Sequence, residues 1–310
     1  MDLREYIELS EGELRDRIAK AKEKKNAVIL GHNYLRGEVQ TAADILGDSL
    51  GLSREAAATD ADIIVFCGVM FMAETAKILA PDRRVLIPDR IAGCPLAAGA
   101  TMDDVLAAKE KYPDHAFVAY VNTTAEVKAA VDICCTSSNA VEVVKSLGDR
   151  PVVFLPDRNL GEFVKRQLGK ENMVLWDGGC YVHQFITMQD LKAGRRAHPE
   201  ATIIVHPECP VEVSEAADIA SSTGGMYRYV REHDEPVLLG TEIGLIERIK
   251  REMPEKEVGW LKPSAVCSNM KLITLAKLAR SLERELYEVD LEDSILKAAS
   301  RSITRMVEIG

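Results

Sequence analysis

The chain has 310 residues, too many for one simple core and few for three full-sized domains. With 47% hydrophobic and 28% charged residues it reads as an ordinary soluble globular protein. Its formal charge of −10, acid and base interspersed, argues against nucleic acid as a partner, and no run of about 18 apolar residues offers a membrane span.

The N-terminal stretch MDLREYIELSEGELRDRIAKAKEKK is charged throughout and lacks the apolar core of a signal peptide, so a cytoplasmic protein is expected. KAKEKK reads as a solvated helix face. Beyond it, short apolar runs alternate with amphipathic stretches, the pattern of α/β units with parallel strands. Strands are expected at AVILG (27–31), DIIVFCG (62–68), RVLIP (84–88), AFVAYV (116–121), PVVFLP (151–156), ATIIVH (201–206) and PVLLG (236–240). The last fifty residues read as two helices, the second starting near VDLED.

Self-similarity underlies this alternation. His32, Tyr120 and His206, each at the end of an apolar strand, stand 88 and 86 residues apart. ADIIVFCGV, VDICCTSSN and ADIASSTGG form a second landmark, and RVLIP, PVVFLP and PVLLG a third. Each third closes on a cysteine: Cys94 in IAGCPL, Cys180 in GGCYVHQ and Cys267 in SAVCSNM, 86 and 87 residues apart. The spacing implies three pseudo-threefold αβα modules of about 87 residues with short parallel sheets and an active site at their common interface. The boundaries expected are 1–98, 99–184 and 185–267, with helices in 268–310 packing on the first module. The competing reading is one doubly wound domain with accidental spacing.

Ligands of open α/β sheets sit beyond the carboxyl ends of the strands. Three modules facing one axis would bring Cys94, Cys180 and Cys267 together there. Seven cysteines in a reducing compartment are not expected to form disulfides. Three converging thiolates suit zinc with an open position or a [4Fe–4S] cube with one free iron, and ligand chemistry alone does not choose. Cys67, Cys134 and Cys135 read as buried small hydrophobes, and Cys209 as a neighbour of the site. The strand ends carry His32, Asn33 and Tyr34; Tyr120 and Asn122; His206 and Glu208. Ser49, Ser137 and Thr223 open the following turns, and the last two, at helix starts, suit anions. His115, His198 and His233 read as surface residues. Asp82, Asp89 and Asp157 read as turn or cap residues. TGG in STGGM lacks the GxxxxGK[ST] pattern of a nucleoside triphosphate loop.

GHNY, VLIPDR, YVNTTAEVK, TSSNAVEVV, GGCYVHQ, HPEC, STGGM and CSNMK, in this order across residues 26 to 305, resemble the quinolinate synthase family of NAD biosynthesis. The resemblance implies condensation of iminoaspartate with dihydroxyacetone phosphate to quinolinate, phosphate and water. It also implies a [4Fe–4S] cluster on Cys94, Cys180 and Cys267 with one open iron acting as Lewis acid. Tyr34 and Glu208, with His32 beside them, match the family's catalytic positions. His32 and Ser49 match positions for one carboxylate of the product. Tyr120, Asn122 and Ser137 match those for the other carboxylate or an intermediate, and His183, His206 and Thr223 complete the pocket. An aspartate oxidase or dehydrogenase is the implied transient partner that supplies iminoaspartate. Two positions depart from the pattern: CSNMKLI lacks the further cysteines of longer members, and Gly31 stands where alanine is common. The alternatives are another cluster-dependent dehydratase and a non-catalytic iron–sulphur sensor; the polar constellation counts against the sensor.

Overall fold

The computed structural model describes residues 2–309 and contains three four-stranded, all-parallel sheets. The first holds β1 (Ala27–His32), β2 (Ile45–Gly47), β3 (Ile63–Cys67) and β4 (Arg84–Leu86). The second holds β5 (Ala116–Tyr120), β6 (Ile133–Cys135), β7 (Val152–Leu155) and β8 (Met173–Leu175), and the third β9 (Thr202–Val205), β10 (Ile219–Ala220), β11 (Val237–Gly240) and β12 (Val258–Trp260). The strand orders are β2-β1-β3-β4, β6-β5-β7-β8 and β10-β9-β11-β12, the same arrangement three times. The fold is α/β with three similar modules, as the repeat implies.

All seven expected strands form. The expected second and third landmarks are displaced by one strand in the first module. ADIIVFCG is β3, which corresponds to β7 and β11, whereas the counterpart of VDICC and ADIA is ADILG at β2. An aspartate proves the correspondence. Asp44, Asp132 and Asp218 each accept the N–H of Ile29, Phe117 or Ile203 at 2.8 Å, and each returns its own N–H to that residue's carbonyl. Three-residue edge strands such as β2 are too short an apolar run to stand out in sequence, so the longer, fully buried β3 takes their place in a pattern match. From these anchors His32, Tyr120 and His206 are equivalent, as are Ser49, Ser137 and Thr223.

Buried apolar side chains of the first two sheets and the C-terminal helices form one continuous core. The third sheet has its own layer on each face, with Ile203, Val205 and Leu238 on one side and Ile204, Val237 and Leu239 on the other. The helix Leu275–Arg284 packs on Glu11–Lys24 of the first module. The helix Asp293–Glu308 reaches beyond that module. It lies against Met70–Leu79, but also against Ala125–Ala130 and β6 of the second. No helix among the described residues is long and apolar enough to cross a membrane.

Candidate active site

The carboxyl ends of the three sheets surround one cavity. It is lined by His32, Tyr34, Ser49, Cys94, Tyr120, Asn122, Ser137, Cys180, His183, His206, Glu208, Thr223 and Cys267, that is, by every candidate residue from the three modules. Cys209 directly follows Glu208 but does not line the cavity; it is buried, with its thiol toward the Gly240 carbonyl. Cys67, Cys134 and Cys135 are buried in strands. His198 and His233 are exposed and His115 is half-buried beside Tyr112. Arg90 and Arg158 do not line the cavity.

Two histidines are set alike by their strand ends. The N–H of Tyr34 donates to His32 Nδ1 at 3.2 Å, and the N–H of Glu208 donates to His206 Nδ1 at 3.3 Å. Nδ1 is therefore the acceptor in both rings, and Nε2–H is left as a donor toward the cavity. Burial pushes His32 down to about 4 and His206 down to about 3, so both rings are neutral near pH 7. The 3.4 Å approach of His206 Nδ1 to Glu208 is accordingly not an ion pair. His206 Nε2 meets Ser137 Oγ at 3.2 Å.

Glu208, 3% exposed, is opposed by its own burial. The hydrogen bonds donated by His183 and Tyr120, with the positive edges of the neighbouring rings, outweigh that cost and hold the carboxyl below the usual carboxylate range. An ionised carboxylate only accepts, so His183 carries its proton on Nδ1, 2.6 Å from Glu208 Oε2. His183 Nε2 then accepts from Thr241 Oγ1 at 3.0 Å, and Thr241 Oγ1 accepts from the Tyr34 hydroxyl at 2.7 Å. Tyr34, Thr241, His183 and Glu208 thus form one buried hydrogen-bonded chain. Burial and the Glu208 charge keep the phenols of Tyr34 and Tyr120 well above the ordinary range.

Asn33 in GHNY donates to Thr223 Oγ1 at 3.2 Å and accepts from Arg248 at 2.6 Å, joining the first module to the third. At the cavity's outer end Ser138 Oγ lies 2.7 Å from Asp48 Oδ2 and 2.8 Å from Ser222 Oγ, one group from each module. Sequence reasoning passed over Thr241, Lys271, Asp48 and Ser138. Asp48 and Ser138 are direct neighbours of chosen residues, and Thr241 ends a strand as His206 does, a signal available in the repeat.

Burial raises the three thiols, Cys94 to about 12, and Cys94 is close enough to Cys267 and Cys180 for their charges to repel. Gly178 explains part of the GGC motif: a Cβ there would lie 2.4 Å from the Pro156 carbonyl oxygen, so only glycine lets the loop reach Cys180. Among the described residues the donor trio whose atoms all lie within 4.8 Å is Cys180, His183 and Glu208, an arrangement able to hold a metal. The three cysteines are spaced more widely. Buried Glu208 Oε1 and Asn122 Oδ1 have no partner among the described residues, two acceptors at the cavity wall that await a donor.

Residues 16–308 match the family described as Quinolinate synthetase A protein. A quinolinate synthase of Methanothermobacter thermautotrophicus is 47% identical over 300 residues, 96% of this chain and 98% of the relative. Those of Methanoregula boonei and Caldicellulosiruptor saccharolyticus are 47% and 42% identical over 297 residues, 96% of this chain and 98% of each relative.

Proposed function

The chain belongs to the quinolinate synthetase A family, and from that premise we propose that it condenses iminoaspartate with dihydroxyacetone phosphate to quinolinate. The observation that carries this reading is the convergence of Cys94, Cys180 and Cys267 on the cavity that also holds Tyr34 and Glu208. Three soft thiols suit either zinc or iron–sulphur. The family to which the chain belongs favours a [4Fe–4S] cluster held by the three cysteines. Such a cluster with one iron free of protein ligands supplies a Lewis acid.

The remaining work falls to side chains. His32 and His206 offer neutral Nε2–H donors, and Ser49, Ser137 and Thr223 add hydroxyls; Ser49 and Thr223 open the helices Ser49–Ala58 and Thr223–Glu232, whereas Ser137, expected at a helix start, lies in the turn before Ala140–Lys145. Together they seat carboxylates without a basic surface. Tyr120 and Asn122 also line the cavity. Glu208 takes protons at its unpartnered Oε1. Tyr34 gives up its phenolic proton only to a strongly basic atom, which suits an acid in dehydration, and Thr241, itself held by His183, fixes the position of Oη. We assign the modules to 1–98, 99–184 and 185–267, with a cytoplasmic location and iminoaspartate supplied by an aspartate oxidase or dehydrogenase.

The test is quinolinate formation by anaerobically purified protein given dihydroxyacetone phosphate and freshly generated iminoaspartate, with iron and sulphide measured on the same sample. Product with about four irons per chain supports the reading. A full cluster without product points to a different dehydratase, and protein without iron refutes the ligand assignment.

A further inference from the structure

The three cysteine loops are tethered alike at one point and unlike at the next. Two residues before each cysteine, a carbonyl accepts an N–H from the helix after the third strand. Met70 donates to Ala92 at 2.8 Å, Arg158 to Gly178 at 2.8 Å and Ile243 to Ala265 at 3.0 Å. One residue before those donors the modules differ. Positions 157 and 242 are carboxylates, each 0% exposed, and position 69 is valine.

Asp157 Oδ2 accepts the N–H of Cys180 at 3.2 Å, and Glu242 Oε1 accepts the N–H of Cys267 at 3.1 Å. Val69 has no side-chain acceptor for Cys94. Helix capping accounts for only one oxygen of each acid: Asp157 Oδ1 accepts from Leu160 at 2.8 Å, and Glu242 Oε2 from Gly244 at 2.7 Å. The second oxygen crosses to the cysteine loop. Burying a carboxylate is costly unless its acceptors are used, and here the cysteine amides use them. Glu242 also pairs with Lys271 at 3.0 Å, and Lys271 Nζ donates to the Tyr34 carbonyl at 2.7 Å. The Cys267 loop is therefore pinned to the strand end that presents Tyr34.

We propose that Asp157 and Glu242 are positioning residues that lock Cys180 and Cys267 as metal ligands, leaving Cys94 as the thiol that releases first. The proposal rests on the cluster reading above. Groups behind a ligand typically change metal retention 10- to 100-fold, because they fix the ligand's orientation.

The test uses loaded protein under anaerobic conditions. A chelator draws off iron while iodoacetamide traps each freed thiol, and peptide mass spectrometry times the labelling of Cys94, Cys180 and Cys267. Wild type, Asp157→Asn and Glu242→Gln are compared. Asparagine keeps an oxygen for the Leu160 cap but turns an NH2 group toward the Cys180 N–H, so the tether breaks while the helix cap stays. In wild type Cys94 labels first. Asp157→Asn speeds Cys180 by about tenfold or more and leaves Cys267 unchanged, whereas Glu242→Gln does the reverse. Simultaneous labelling in wild type, or a variant that speeds all three cysteines alike, overturns the proposal. So does a folded, fully loaded pair of variants that label like wild type, an outcome that leaves the cluster reading intact. Wild-type protein that takes up no iron refutes the cluster reading and this proposal together.

Discussion

Tyr34 and Glu208 end a hydrogen-bonded chain through Thr241 and His183, so each can be tested without dismantling the other. Tyr34→Phe removes the phenol and leaves the ring; iron content stays at the wild-type level and quinolinate formation falls by about 10²- to 10⁴-fold, the usual weight of a positioned acid. Wild-type turnover in that variant would remove Tyr34 from the chemistry. Thr241→Val cuts the relay behind Tyr34 and lowers kcat while KM holds, which steady-state kinetics separate. Acid sensitivity belongs to this scale too. The folded forms of His32, at about 4, and His206, at about 3, refuse protons that the unfolded chain accepts below 6.5. Stability present above that value is lost as pH falls, with a slope of about 1.4 kcal/mol per pH unit for each ring. Glu208, held below the usual carboxylate range, contributes stability above 4.5 that disappears only in stronger acid. Anaerobic denaturation midpoints should decline between about pH 6.5 and about pH 4; a flat profile would show that the imidazoles are not buried neutral.

At the scale of elements, three aspartates set the register of three sheets. Asp44 and Asp218 also pair with Lys22 and Arg195, whereas Asp132 has no ion pair among the described residues, which makes it the cleanest probe. Asp132→Ala leaves the Phe117 N–H unmet at the β5–β6 pairing and costs about 1–3 kcal/mol in chemical denaturation; no change would mean that water or a shifted strand replaces the bond. The longer apolar runs were legible as strands because a continuous run of four or more apolar residues marks a parallel strand buried on both faces. β2, β8 and β12, three residues each, were not, and the slip of one strand in the first repeat follows from that. The candidate site was legible because its residues end strands and recur at one spacing. Thr241, Lys271 and the second oxygen of Asp157 were not, since what each does depends on a partner far away in sequence.

Across the whole molecule, the helix Asp293–Glu308 binds the first two modules and reaches the site through Asn139. That buried amide donates to the carbonyls of Met306 at 2.9 Å and Ile309 at 2.7 Å, and accepts from the Thr136 N–H at 2.8 Å, beside Ser137. Asn139→Ala strips all three, lowers stability by about 1–3 kcal/mol and raises KM for the anionic substrates without loss of iron; unchanged KM would separate the C-terminus from the pocket. The three aspartate anchors have a further consequence. Each wall of the cavity takes its register from its own sheet, so a substitution that breaks one aspartate anchor leaves the other two anchors in place. A descendant of this chain could therefore alter one wall at a time, testing a new shape against two constant faces, as a locksmith recuts a single ward.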